Sequence, residues 1–149
     1  MMKNRILVPI DLSHDAAFDL IFSATSTLAR QHSAILHLVT VVPAELAAWP
    51  YVPRGLVDDA RKQAETQISD IAALEYPEDV TWESEAIVGP IASTIIQRAT
   101  DLGAGLIAIA SHDPKLTSLL LGGTADRVVR RAHCTVLVLR SSQGWNWSN

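Results

Sequence analysis

"GLIAIASHDPKLTSLLLGGTADRVVRRAHCTVLVLR", residues 105–140, decides the fold. It opens on an apolar run of strand length, Gly105–Ala110, crosses a polar loop, and meets two adjacent glycines, Gly122 and Gly123. A helical pattern from about Thr124 to Ala132 follows, and a second apolar run, Cys134–Arg140, closes the stretch. Strand, helix and strand in that order make a βαβ unit, and such units build a mainly parallel sheet. The glycine pair at the helix start is either a cradle for phosphate or only a tight strand-to-helix connection, and the pair alone does not decide between them.

Toward the N-terminus the same alternation repeats. "RILVPI" (Arg5–Ile10) and "AILHLVTVV" (Ala34–Val42) are continuous and rich in branched residues, as expected of strands buried on both faces; Gly105–Ala110 and Cys134–Arg140 read the same way. "VTWESEAIV" (Val80–Val88) alternates in part, which suits an edge strand with one wetter face. Between the strands, Ser13 stands before "HDAAFDLIFSATSTLAR" as a helix cap, with Asp15 suited to the positive helix end. Leu56, Ala60, Ala64, Ile68 and Ala72 recur every four residues along a second helix. Pro90 sits near the first turn of a third, which carries Ile91, Ile95 and Ala99 on one face. Pro43–Gly55, with three prolines and two aromatics, reads as a long surface connection. These elements define one domain over residues 1–141; the tail over 142–149 carries Trp145 and Trp147 and either folds back or meets a partner.

Composition narrows the function. The chain has 149 residues, 48% hydrophobic and 19% charged, which fits one globular domain. Its formal charge of −4 argues against nucleic acid as a partner, because that attraction comes from clustered Lys and Arg. The first apolar run stops at Asp11, too soon for a signal-peptide core or a membrane span, so a cytoplasmic location without membrane contact is expected. Cys134 is the single cysteine and cannot form an internal disulfide. Beside His133 it is read as a small core residue and not as a thiolate nucleophile.

In an open parallel sheet, ligands bind beyond the C-terminal strand ends, where the strand order reverses. Those ends supply Pro9, Ile10 and Asp11, followed by Ser13; then Thr40 and Val41; then Ala110, Ser111, His112 and Asp113. Gly122, Gly123 and Thr124 open the helix after the fourth strand, so its free N–H groups face the same crevice. His14, His112 and Asp11 match no metal-ligand spacing, and no metal site is expected. "GGTAD" lacks a nucleophile elbow, and no catalytic residue is assigned.

Taken together, "ILVPIDLS", "LHLVTVVP", "VGPIASTII", "GLIAIASH" and "LLLGGTADRVVRRAHCTVLVLR" resemble the universal stress protein family from Arg5 to Arg140. The loop form "ASHDPKLTSLLLGG" is similar to the short F- and G-type branch of that family. The resemblance implies a single three-layer Rossmann-like α/β domain of the adenine nucleotide alpha hydrolase-like type, with a five-stranded parallel sheet in order 3-2-1-4-5 and four helices. It also implies a homodimer formed largely through the last strand, Thr135–Leu139, and bound ATP in many members.

The family's nucleotide motif is Gly, two residues, Gly, nine residues, then Gly with Ser or Thr. Ala110 stands at the first Gly and Asp113 at the second. Counting nine onward reaches Gly123 and Thr124; aligning on the helix that follows places Gly122 and Gly123 on the final pair, with one residue fewer in the loop, and also accounts for "LLLG". A β-carbon at Ala110 hinders close approach of phosphate, and the Asp113 carboxylate repels it, with Lys115, Arg127 and Arg130 available as an offset. Asp11 and Val41 match the family positions that meet the base.

The expected function is a non-catalytic stress-response protein that binds ATP or AMP, with Mg²⁺ accompanying ATP. Adenine would lie between the ends of strands one and two, and phosphates at Gly122–Gly123. Slow hydrolysis or self-phosphorylation would require Ser111 or Thr124 close to the γ-phosphate. The alternative is a dimeric interaction module that no longer binds nucleotide and meets a protein partner through its proline-rich loop and Trp-bearing tail; Asp113 and Gly123 favour it.

Overall fold

The computed structural model describes residues 4–45, 50–53, 55–111, 123–140 and 145–147. Five strands, β1 (Arg5–Pro9), β2 (Ile35–Pro43), β3 (Trp82–Gly89), β4 (Leu106–Ala110) and β5 (Thr135–Leu139), form one sheet in the order β3-β2-β1-β4-β5. Every pairing is parallel. Four helices connect them: α1 (Phe18–His32), α2 (Leu56–Glu75), α3 (Ile91–Leu102) and α4 (Gly123–Arg131).

Alternate side chains of the central strands enter two separate cores, which is why these strands read as unbroken apolar runs. Ile6, Val8, Leu36, Leu38 and Ala108 pack with Ile21, Phe22 and Ala24 of α1 and Ile68 and Ala72 of α2. Leu7, Val39, Ile107 and Ile109 pack on the other face with Ala92, Ile95 and Ala99 of α3 and Ala125 and Val128 of α4. The result is helices, sheet and helices in three layers. β3 lies at one edge, as its alternation predicts. β5 departs from the expected full burial: Val136, Leu137 and Val138 are only half-buried, because β5 is the other edge and has β4 alone beside it.

Three local expectations are corrected. Ser13 does not cap α1; a 3-10 turn over Asp15–Ala17 intervenes, α1 starts after Ala17, and Ser13 bonds to Asp11 instead. Leu56 is exposed, since α2 presents its buried Ile68 and Ala72 to the sheet only in its second half. Ile91 is 42% exposed, the buried face of α3 being Ala92, Ile95 and Ala99. The tail folds back: Trp147 packs against the core beneath α1 and α2, its carbonyl accepts a 2.6 Å hydrogen bond from the Thr27 hydroxyl, and Trp145 stacks edge-on against it.

The end of α1 stores backbone strain. Ser33 closes the helix at φ 49°, with its N–H and that of Ala34 both donating to the Ala29 carbonyl. A side chain in this left-handed region costs about 1 kcal/mol that glycine avoids. Ser33→Gly is therefore expected to raise the unfolding free energy by about 0.5–1 kcal/mol, read as a higher urea midpoint at unchanged slope.

A charged cluster ties α3 to the N-terminal end of the sheet. The buried His37 ring on β2 has its nitrogens 3.2 Å from Glu83 and 2.9 Å from Glu85, both on β3. Arg98 of α3 grips both Glu85 oxygens, and Arg5 of β1 lies 3.8 Å from Glu83. Partial burial pushes the Glu85 carboxyl up, but the hydrogen bonds and charges of Arg98 and His37 outweigh it and hold it below its ordinary 4.5. A carboxyl lowered in the folded state adds stability above its unfolded value and loses it as pH falls through the folded one. The acid limb of the stability profile, below about pH 4.5, should be shallower in Glu85→Gln than in the wild type, as followed by urea unfolding across that range.

Candidate functional site

The strand order reverses between β2 and β4, which flank β1, and a cavity of about 510 Å³ opens there at the C-terminal strand ends. Its size falls within the range of small-molecule sites. β1 and the turn after it supply Pro9, Ile10, Asp11 and Ser13; β2 supplies Thr40 and Val41; β4 supplies Ala110; the first turn of α4 supplies Thr124. Sequence reasoning placed all eight there.

Local hydrogen bonding explains how the turn after β1 is held. The Ile10 N–H donates to the Val39 carbonyl at 2.8 Å, extending the β1–β2 ladder to the mouth. The Asp11 carboxylate then accepts from the Ser13 N–H at 3.0 Å and the Ser13 hydroxyl at 2.6 Å through one oxygen, Oδ1. The His14 N–H closes onto the Asp11 carbonyl at 3.1 Å. A short acidic side chain bonding two residues onward is the favoured way to fix such a turn. Asp11 is thereby presented at the rim with its position set by its own loop.

The remaining predicted residues divide. Ser111 is buried, and its N–H continues the β4–β5 ladder by donating to the Leu139 carbonyl at 2.9 Å, so it does not line the cavity. Gly123 begins α4 without contributing to the wall. His112 and Gly122 lie outside the described residues, as do Asp113 and Lys115. Among the described residues no group of three or more His, Cys, Asp or Glu side chains is placed to hold a metal. Cys134 is half-buried, and burial pushes its thiol up, away from the reactive thiolate.

Sequence reasoning missed the walls. Phe18 and Ile21 of α1, Ala64 of α2, and Ile91 and Ile95 of α3 all border the cavity. Ile91 shares its helical face with Ile95 and Ala99 but is 42% exposed at the crevice mouth, a role its period does not reveal. Phe18 also meets Phe22 edge-on at 5.9 Å, and Phe22 meets Tyr76 at 4.8 Å, so the wall is continuous with the core. The Tyr76 hydroxyl pairs with that of Thr25 at 2.7 Å, and burial pushes its phenol well above the usual range.

Among the described residues no helix is long and apolar enough to cross a membrane. The profile of the Universal stress protein family matches residues 2–140. Universal stress protein G of Salmonella typhimurium is 25% identical over 143 residues, covering 93% of this chain and all of the relative. In fold, the chain is similar to the hypothetical protein MJ0577, with a TM-score of 0.78 at 20% identity over 97% of this chain and 100% of that one. It is also similar to the universal stress protein from Archaeoglobus fulgidus in complex with dAMP, with a TM-score of 0.65 at 18% identity over 93% and 99%. The matched span contains the whole sheet and every described wall of the crevice, and the chain belongs to the universal stress protein family.

Proposed function

We propose that this chain is a non-catalytic stress-response protein that binds an adenine nucleotide at the switch-point crevice and acts as a dimer in the cytoplasm. The observation that carries the reading is the convergence of Pro9, Ile10, Asp11, Ser13, Thr40, Val41, Ala110 and Thr124 on one cavity at the reversal of strand order. The dAMP held by the Archaeoglobus fulgidus relative supports an adenine ligand. Apolar walls suit a base, and Asp11 at the rim suits the amino group of adenine, which donates to a carboxylate. Mg²⁺ enters only with a polyphosphate. The dimer forms along β5, whose half-covered Val136, Leu137 and Val138 a second copy would bury.

A second reading, an interaction module without nucleotide, is favoured by one observation. Tyr51 and Trp145 are 94% and 68% exposed, and aromatic residues of that kind anchor protein partners. Mass spectrometry of small molecules released on denaturation, with calorimetric titration of AMP, separates the two. Recovered adenine nucleotide or saturable binding supports the first; a blank in both rejects it and leaves the second. Light scattering tests the dimer, which predicts the mass of two chains.

A further inference from the structure

We propose that the Thr40 hydroxyl is the buried donor that fixes the base in the crevice, through a hydrogen bond to a ring nitrogen of adenine. The inference rests on the nucleotide-binding reading above and names a specificity-determining residue within that site.

The cavity has a buried floor and an exposed rim. Asp11 and Ser13 stand at the rim, whereas Ile10, Ile21, Val39, Ile95 and Ile109 are buried walls. Among the described residues, Thr40 is the one buried wall residue with a polar side chain, and it is 5% exposed. Buried hydroxyls ordinarily find a partner inside the protein. Thr25 shows that pattern, bonding to the Ile21 carbonyl at 2.6 Å and the Tyr76 hydroxyl at 2.7 Å. The Thr40 hydroxyl has no such partner among the described residues. Since no described side-chain polar atom is both sealed from solvent and unbonded, this hydroxyl keeps an opening, and the space that Thr40 lines is the crevice.

The sheet sets where that hydroxyl stands. Thr40 pairs with Ala86 of β3, and one residue earlier the Val39 carbonyl accepts the Ile10 N–H of the β1 end at 2.8 Å. A β-branched side chain on such a strand has few rotamers, so little freedom is lost when its hydroxyl meets a ligand. A group that reaches this floor sheds its water among Ile and Val side chains, which a flat heterocycle does at lower cost than a sugar or a phosphate. Adenine brings an amino donor and ring-nitrogen acceptors. A carboxylate such as that of Asp11 takes the first and has no proton for the second, whereas the Thr40 hydroxyl has one.

Calorimetric titration of the full chain with AMP and with 1-deaza-, 3-deaza- and 7-deaza-AMP, each lacking one ring nitrogen, tests the proposal. Thr40→Val is expected to weaken AMP binding about fivefold or more, and Thr40→Ser to stay within about threefold of the wild type. The wild type should lose about fivefold with one of the analogues, and Thr40→Val should bind that analogue as tightly as AMP, because the bond is already gone. The urea midpoint of Thr40→Val is expected at or above that of the wild type, since no bond within the protein is broken. AMP affinity unchanged in Thr40→Val, no analogue penalty in the wild type, every penalty persisting in the variant, or a lowered midpoint with an affinity loss that Ser fails to restore would each overturn the assignment and leave the nucleotide site standing. Failure of the wild type to bind AMP overturns the nucleotide reading itself and the proposal with it.

Discussion

Phe22→Ala is expected to lower the unfolding free energy by about 3–5 kcal/mol, the range for truncating a buried aromatic. Phe22 is 2% exposed and sits at the centre of an aromatic row, edge-on to Phe18 at 5.9 Å and to Tyr76 at 4.8 Å, with Tyr76 6.4 Å from Trp82 of β3. Removing the ring leaves a cavity between α1 and the end of α2 and takes away the packing that holds Tyr76 against Thr25. Domains of this size hold about 5–15 kcal/mol in total, so the variant would lie close to its stability threshold. Urea unfolding at constant slope measures the loss; a change below about 1 kcal/mol would contradict the packing described here. Phe18 borders the crevice, so the same variant should also weaken ligand binding, whereas Phe22→Leu should preserve most of both.

Asp11→Ala is the second large effect. AMP affinity is expected to fall by at least about tenfold, near 1.4 kcal/mol, because the rim loses both the acceptor for the ligand and the anchor for Ser13. Stability should fall by no more than about 1 kcal/mol, since the Asp11–Ser13 bonds are exposed to water. That separation between binding and folding is the informative feature. Asp11→Asn, which keeps an oxygen for Ser13 and drops the charge, should bind AMP better than Asp11→Ala. Equal affinity in wild type and Asp11→Ala, by calorimetry, would remove Asp11 from the site.

The fold was legible because burial on both faces leaves a mark in each strand. Ile6–Val8 and Leu106–Ala110 carry unbroken apolar residues since alternate side chains enter two different cores, the pattern of strands covered by helices on both faces. Edge character was legible in β3, where Glu83 and Glu85 interrupt the pattern, but not in β5, whose apolar residues look buried until the strand order places them beside a single neighbour. Residues at strand ends were found because topology alone fixes where they point. The walls contributed by Phe18, Ala64 and Ile91 were not, because a helix reveals its sheet-facing stripe through its period and gives no such signal for the side that meets a crevice. Ser13 misled for a related reason: a hydroxyl before a helical pattern suits a cap and an Asx turn equally, and Asp11 two residues earlier decided it.

The central claim is that an adenine compound binds at the reversal of strand order. Backbone amide shifts in ¹H–¹⁵N spectra, followed while AMP is titrated into isotopically labelled protein, test it most directly. The account predicts saturable shifts concentrated at Ile10–Ser13, Thr40, Val41, Ala110 and Thr124, with the amides around His37 and Trp147 unmoved. Shifts confined to the cleft that Trp147 borders on α1, or none at saturating AMP, would contradict it.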